Sequence, residues 1–216
     1  MKITKHPAKR EADIEESQGR HTHPQPEKSS LRELRHLQPN LLTSVRTGFG
    51  NDLHRLVVGR KLVLGGVKIP FTKGPAGHSD GDALAHAICD ALLGAAGLGD
   101  IGRHFPNTSP KWRGISSLIF LRHVRDLLRG AGYAILNVDS TIGLERPRLS
   151  PYIPRMRKKL AEALGLNPGQ VSVKAKTGEG VDALGRGEAV RADAVALIVE
   201  KSRVESQESK VKKSKR

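Results

Sequence analysis

Two side chains that could hold a metal ion stand close together in the first half of the chain. Asp52 and His54 are two residues apart in a segment with a strand pattern, so both side chains lie on one face of that strand. A carboxylate oxygen and an imidazole nitrogen on one face provide two ligands of a zinc-type site. Taken alone, the pattern is common, and an ordinary surface pair is the simpler interpretation.

His86 is the candidate for a third ligand. It follows Asp82 by four residues in an apolar helical run, which places both on one helical face, and Asp80 or Asp82 could cap that helix. On its own, a histidine among apolar neighbours is more often a core residue than a ligand. With Asp52 and His54 it completes a set of three protein ligands with an open fourth position, as in catalytic zinc sites.

A second group of polar residues suits phosphate. Lys176, Thr177 and the backbone N–H groups of the glycine-rich turn after them are good phosphate donors, and Glu179 is a suitable ligand for magnesium bridging two phosphates. Such turns are common, so this pattern is weak by itself. Asp100 lies in an earlier glycine-rich loop, residues 97–102. It could orient substrate hydroxyls, although hydrogen bonding within its own loop is the simpler role.

In order and spacing, these elements resemble the 2-C-methyl-D-erythritol 2,4-cyclodiphosphate synthase family over about residues 45–200. The matching runs are Gly48-x-Gly50-x-Asp52-x-His54, Gly65-Gly66-Val67-x-Ile69-Pro70, His78-Ser79-Asp80-Gly81-Asp82-x-x-x-His86, Asp90-Ala91-Leu92-Leu93-Gly94-Ala95, Gly99-Asp100-Ile101-Gly102, Phe105-Pro106, Asn137-Val138-Asp139 and Lys174-Ala175-x-Thr177-x-Glu179. Lys176 and Gly178 depart from the family, which usually has threonines there.

The resemblance implies a homotrimer with active sites at subunit interfaces, one zinc per subunit, and magnesium or manganese with the substrate diphosphate. The zinc ligands would be Asp52, His54 and His86, and Glu179 would join them as a catalytic residue. The residues expected to bind the cytidine diphosphate substrate are His78, Ser79, Asp100, Leu144, Pro147, Arg148, Leu149, Ser150, Lys176, Thr177 and Arg186.

The implied reaction is the cyclisation of 4-diphosphocytidyl-2-C-methyl-D-erythritol 2-phosphate with release of CMP, which is a phosphorus–oxygen lyase activity of isoprenoid precursor synthesis. Two alternatives remain open on sequence grounds. A zinc-dependent phosphohydrolase would suit the metal ligands, but the chain lacks an H-E-x-x-H pattern. A basic RNA-binding protein would suit the net charge of +15, but aromatic residues make up only 3% of the chain, so bases would find few stacking platforms.

The hydrophobic pattern predicts an α/β (α+β) two-layer sandwich, in which a mixed β-sheet carries helices packed on one face. Helix 116–129 is amphipathic, with Ile119, Val124, Leu127 and Leu128 on its apolar side. Predicted strands cover 45–54, 61–70, 133–144, 171–177 and 188–199, and predicted helices cover 82–96, 116–129 and 151–164.

Composition divides the chain into three parts: a disordered N-terminal arm (1–44), a cyclodiphosphate synthase domain (45–200) and a basic disordered tail (201–216). The tails are expected to contact nucleic acid only weakly. No segment approaches the ~18 apolar residues of a membrane span. The single cysteine, Cys89, excludes an internal disulfide and favours a reducing compartment, so we expect the protein in the cytoplasm.

Overall fold

The computed structural model describes residues 45–201. The predicted domain core therefore falls within it, whereas the predicted arm (1–44) and all but the first residue of the predicted tail lie outside the described residues. The strands are β1 (Val45–Val58), β2 (Leu62–Leu64), β3 (Val67–Ile69), β4 (Lys73–Pro75), β5 (Tyr133–Gly143), β6 (Val171–Lys176) and β7 (Ala189–Glu200). The helices are α1 (Ala83–Ala96), α2 (Ile101–His104), α3 (Ser117–Gly130), α4 (Ile153–Leu164) and α5 (Asp182–Gly185), with short 3₁₀ turns between them.

The main sheet has five strands in the order β4-β1-β7-β5-β6. The pairs β4–β1, β1–β7 and β7–β5 are antiparallel, whereas β5 and β6 run parallel. The β2–β3 hairpin forms a separate two-stranded sheet. The predicted mixed sheet is confirmed. The prediction of one strand over 61–70, interrupted at Gly65-Gly66, is corrected to this hairpin, because both glycines adopt positive φ and turn the chain.

Helix α1 packs directly on β1 and β7 because both sides of the contact are made of small residues. A Cβ added at Gly48 would lie 2.0 Å from the Ala91 carbonyl oxygen, and one added at Gly50 would lie 2.2 Å from that of Ala87. The facing residues of β7, Ala192, Ala194 and Ala196, are buried as well. Backbone of the helix and backbone of the strand therefore meet with almost nothing between them.

Asp82 joins the hairpin to the start of α1. Its side chain is fully buried and accepts hydrogen bonds from the N–H groups of Gly65 (2.9 Å), Gly66 (2.6 Å) and Ala85 (3.1 Å). Burial away from water, together with the charge of Asp80, raises the pKa of Asp82 to about 6, although the three N–H donors oppose that rise. Of the two residues predicted as candidate caps, Asp82 is the N-cap of α1.

One face of the sheet is covered by helices, and the other is open in the described chain. Along β7, Val190, Ala192, Ala194, Ala196 and Ile198 are buried, whereas the residues between them point to the open face. That face exposes large apolar side chains: Phe49 (59%), Leu53 (63%) and Val195 (47%). Helices on one face were predicted, and the alternating burial confirms them.

Two details of the helices differ from prediction. Val124 and Leu128 of α3 are buried as predicted. Ile119 is exposed, contrary to prediction, and its neighbours Phe120 and Leu121 are buried instead. The structure also contains β4 and the short helices α2 and α5, which were not predicted because three- and four-residue elements carry no periodic signal. Among the described residues, no helix is both long enough and apolar enough to cross a membrane.

Candidate metal centre and adjoining pockets

The structure brings Asp52, His54 and His86 together between β1 and α1. Asp52 Oδ2 lies 2.8 Å from His54 Nε2 and 2.9 Å from His86 Nδ1. The two imidazole nitrogens are 3.4 Å apart. The two-residue spacing on β1 puts Asp52 and His54 on the helix-covered face, as predicted, and α1 supplies His86 from the other layer. Each of the three residues is half-buried.

The other ring nitrogen of each histidine already has a partner. His54 Nδ1 lies 2.7 Å from the Ala76 carbonyl oxygen, which can only accept, so Nδ1 carries a proton and Nε2 can face the triad with a lone pair. His86 Nε2 lies 2.9 Å from Ser117 Oγ and 3.1 Å from Ser79 Oγ. Histidines that ligate metals usually make such a second hydrogen bond, because it fixes the ring orientation and the tautomer.

The electrostatics of the three residues also favour a cation. Burial alone would raise the pKa of Asp52, but hydrogen bonds from His54 and His86 hold it well below its ordinary value, so the carboxylate is ionised. The hydrogen bond to Asp52 raises the pKa of His54 above its ordinary value. A proton on His54 therefore occupies the position that a metal ion would take.

The donor set fits a divalent transition metal. A tetrahedral zinc ion with bonds of about 2.0–2.2 Å separates its ligand atoms by about 3.3 Å. The separations of 2.8 and 2.9 Å need to open by only about half an ångström, and the separation of 3.4 Å already fits. Two imidazoles and one carboxylate suit zinc and its neighbours, whereas magnesium prefers all-oxygen ligands.

A cavity of about 420 Å³ opens beside the triad. His54, His86 and the buried Ser79 form its polar side, together with the exposed His78. Its apolar side contains a cluster in which the rings of Phe105 and Phe120 stack 4.4 Å apart and Trp112 meets both edge-on. The cavity could hold a small molecule of mixed polarity against the metal ligands.

Asp100 is exposed and caps the short helix α2 by accepting a hydrogen bond from Arg103 N at 2.9 Å. This contact matches the simpler of the two roles considered for it, bonding within its own loop. The neighbouring residues Ile101 and Gly102 line the cavity. Asp90, on α1, holds the same loop by accepting from Ile101 N at 2.7 Å. Burial raises the pKa of Asp90.

The predicted phosphate-binding residues lie at the carboxyl end of β6. A pocket of about 280 Å³ is bounded by the loop after β5 and by Lys176 and Thr177. All five residues of that loop that were predicted to bind the substrate line the pocket: Leu144, Pro147, Arg148, Leu149 and Ser150. Thr177 Oγ1 donates a hydrogen bond to the exposed Glu179. Arg186 instead points to Glu188, with which it forms an exposed ion pair at 3.1 Å.

Within one chain these two groups of residues are far apart. His54 pairs with Val190 on β7, and the next β7 residue, Arg191, pairs with Gly143 on β5, which in turn pairs with Lys176 on β6. The metal ligands and the phosphate residues are thus at the same end of the sheet, but three strand spacings separate β1 from β6. At about 4.8 Å per spacing, that distance is about 14 Å.

The sequence analysis missed several residues of these sites. Ser117 touches His86, but it was placed only as part of an amphipathic helix. Glu145 accepts a hydrogen bond from Gly178 N at 3.0 Å and so braces the turn before Glu179. The aromatic residues Trp112 and Phe120 lie far from the ligands in sequence, so no spacing rule connects them to the site. For Ser117 the sequence offered one signal, namely the two adjacent serines, Ser116 and Ser117, at the start of a predicted helix.

Comparisons with known proteins find similar sequences and similar folds. The 2-C-methyl-D-erythritol 2,4-cyclodiphosphate synthase of Pelotomaculum thermopropionicum is 56% identical over 154 residues, which cover 71% of this chain and 95% of that protein. A solved 2C-methyl-D-erythritol-2,4-cyclodiphosphate synthase in a CDP-bound form matches with a TM-score of 0.66 at 42% identity, covering 71% of this chain and 99% of that one.

The bifunctional IspDF from Campylobacter jejuni matches with a TM-score of 0.70 at 36% identity, and the match covers 72% of this chain but only 42% of that longer one. The sequence pattern of the YgbB family matches residues 45–199, which is nearly the whole of the described range. Family pattern, close relatives and fold agree, and the chain belongs to the YgbB family.

Proposed function

We propose that this protein cyclises 4-diphosphocytidyl-2-C-methyl-D-erythritol 2-phosphate to 2-C-methyl-D-erythritol 2,4-cyclodiphosphate and releases CMP. The observation that carries the proposal is the convergence of Asp52, His54 and His86 beside a cavity, in a chain whose relatives are named as this synthase. In that reaction an oxygen of the 2-phosphate attacks the β-phosphorus, and the bond from that phosphorus to the CMP oxygen breaks. The activity is that of a phosphorus–oxygen lyase, and we expect it in the cytoplasm.

Both reacting groups belong to one substrate molecule, so no protein nucleophile is needed. The task of the protein is to fold the substrate back on itself, and such alignment can contribute roughly 7–11 kcal/mol. His78, Ser79 and Asp100 are proposed to hold the methylerythritol phosphate part. The residues proposed to hold the cytidine diphosphate part are Leu144, Pro147, Arg148, Leu149, Ser150, Lys176, Thr177 and Arg186.

One zinc ion held by Asp52, His54 and His86 would act as a Lewis acid on a phosphate oxygen. Glu179 is the proposed protein ligand for magnesium or manganese bound with the diphosphate. Lys176 supplies a positive charge and Thr177 a hydroxyl donor at the same end of the sheet. These residues neutralise phosphate charge and fix its position, which is the main protein contribution in phosphoryl transfer.

We propose that the working form is a homotrimer with shared active sites. Support comes from the distance between the metal ligands and the phosphate residues of one chain, which is about 14 Å. At that distance the two groups cannot bind the same phosphate. The apolar open face of the sheet, with Phe49, Leu53 and Val195, offers a surface for other copies. Arg191 and Asp193 on that face pair within one chain at 2.7 Å.

The reaction is tested by incubating the protein with the substrate and magnesium and recording phosphorus NMR spectra. The expected products are the cyclic diphosphate and CMP. Glu179→Ala should abolish most turnover, whereas Glu162→Ala, which removes an exposed carboxylate from α4, should not. Inorganic phosphate with no cyclic product would instead favour a zinc-dependent phosphohydrolase. The RNA-binding alternative has less support, because the aromatic rings of Phe105, Trp112 and Phe120 pack against one another beside the cavity.

Shared sites are tested by co-refolding two inactive variants, His86→Ala and Glu179→Ala. Mixed trimers should regain part of the activity, because some interfaces receive two intact halves. For the assembly itself, Leu53→Asp should yield smaller species in sedimentation, and Val58→Asp is the control, since Val58 is also exposed but lies at the end of β1. A fully active monomer would contradict the trimer.

A further inference from the structure

His86 is held on both sides of its ring. Nδ1 faces Asp52 and His54, at 2.9 and 3.4 Å from their nearest ligand atoms. On the opposite side Nε2 lies 2.9 Å from the hydroxyl of Ser117, the first residue of α3. Ser117 is fully buried. Helix α3 therefore contacts His86 of the metal-ligand triad through the Ser117 hydroxyl, in addition to the elements β1 and α1 that carry the ligands.

The partners of Ser117 fix the direction of this hydrogen bond. Ser117 Oγ lies 2.5 Å from Asp80 Oδ1, and a carboxylate oxygen can only accept. The one hydroxyl proton of Ser117 is therefore donated to Asp80, and its oxygen is left as an acceptor for His86. His86 must then carry a proton at Nε2. The proton that Nδ1 shares with Asp52 Oδ2, 2.9 Å away, is the one that a metal ion would replace, and the metal would bind the Nδ1 lone pair.

Asp80 is itself held in place for this role. Its second oxygen, Oδ2, accepts from Ser117 N at 3.1 Å, so both oxygens bind the same residue. Its own N–H donates to the Ile115 carbonyl at 3.1 Å, which fastens the loop before α1 to the segment that leads into α3. Ser79 Oγ lies 3.3 Å from Ser117 Oγ and can only add a donor to that oxygen, since the Ser117 proton is already used.

We infer that Ser117 is a positioning residue for His86: it holds the ring and selects the tautomer that can bind a metal through Nδ1, and Asp80 sets the direction of its hydrogen bond. Ser117 itself touches neither metal nor substrate. The inference rests on the proposed metal site at Asp52, His54 and His86. Removal of such an outer partner typically weakens metal binding by about 10–100-fold.

The test measures the dissociation constant of zinc by competition with a chromophoric chelator. Ser117→Ala should bind zinc about 10–100-fold more weakly than the parent protein. Ser140→Ala is the matched control, because Ser140 is also buried and donates to the Ser172 carbonyl at 2.8 Å, away from the triad. Its zinc affinity should be unchanged. Parent protein that binds no zinc would refute the metal site itself, whereas equal affinity of parent and Ser117→Ala would refute only the role of Ser117.

A second readout follows the tautomer directly. Long-range proton–nitrogen NMR of the zinc-loaded parent should show His86 protonated at Nε2 and bound through Nδ1. Asp80→Asn keeps the size of the side chain but supplies an amide that can donate to Ser117. This change frees the Ser117 proton for donation to His86 Nε2, so Asp80→Asn should bind zinc more weakly than the parent. It tests the same hydrogen bond if Ser117→Ala fails to fold. Coordination through Nε2 in the parent, or parent-like affinity in Asp80→Asn, would overturn the inference.

Discussion

Replacing Gly50 by alanine should damage both the stability and the metal site, because the added methyl group has no room. Its Cβ would lie 2.2 Å from the Ala87 oxygen and 2.5 Å from the Ala91 nitrogen, both of them backbone atoms of α1. Carbon contacts are optimal at about 3.5–4.0 Å, so the helix would have to retreat by more than about 1 Å. Overpacking of this kind costs about 1–3 kcal/mol, and a backbone clash belongs at or above the top of that range.

We therefore expect Gly50→Ala to lose about 3 kcal/mol or more, a large part of the roughly 5–15 kcal/mol that stabilises a typical protein. His86 precedes Ala87 on the displaced helix, so its 2.9 Å contact with Asp52 should lengthen and zinc affinity should fall as well. Urea denaturation at a fixed protein concentration measures the first effect, and chelator competition measures the second.

Gly94 of the same helix is the matched control. An added Cβ there approaches only the Phe49 oxygen, at 4.0 Å, so Gly94→Ala should stabilise the protein by about 0.5–1 kcal/mol through helix propensity. A Gly50→Ala protein within about 0.5 kcal/mol of the parent would show that the helix and strand do not meet as described, and would refute this reasoning.

Three further outcomes are expected. Cys89 is buried and its pKa is raised well above the ordinary value, so it should react with a disulfide thiol reagent only after denaturation, and fast labelling of folded protein would contradict this placement. Zinc must displace a proton from His54, whose pKa is raised by Asp52, so the affinity for zinc should fall as the pH drops through that pKa. Chelator competition measures this affinity. An affinity that stays constant from about pH 8 to about pH 5 would exclude proton displacement from His54. Asp82→Ala leaves the N–H groups of Gly65, Gly66 and Ala85 without their acceptor, so urea denaturation should show a loss of about 2–4 kcal/mol, and a loss under about 0.5 kcal/mol would mean that water replaces the carboxylate.

The long elements of the fold could be predicted because each has a repeating pattern over many residues. Helix α1 is apolar nearly all round, and the prediction of 82–96 agrees with Ala83–Ala96 to within one residue. The pair Asp52 and His54 could be placed on one face from strand geometry alone. Their meeting with His86 depends on how α1 lies across β1, which no local pattern contains.

What the sequence did not reveal depends on tertiary contacts. Ser117 is 31 residues from His86 in the chain, and its role follows only from the direction of a hydrogen bond to Asp80. Ile119 was predicted on the buried side of α3 because helical periodicity alone leaves the exact rotation of the helix uncertain by about one residue, whereas the aromatic cluster around the cavity selects Phe120 instead.

The close contact between β1 and α1 restricts changes in length more than changes in residue type. Two residues of a strand advance about 6.6 Å and one turn of helix about 5.4 Å, so Gly48 and Gly50 meet successive turns of α1, and Asp52 and His54 continue the same face toward His86. A deletion of one residue between Gly48 and His54 would turn every later side chain to the other face. A deletion of two would keep the face but leave Asp52 about one helical turn short of His86. Insertions and deletions in this stretch should therefore be tolerated far less than substitutions at its open-face positions, such as Asn51.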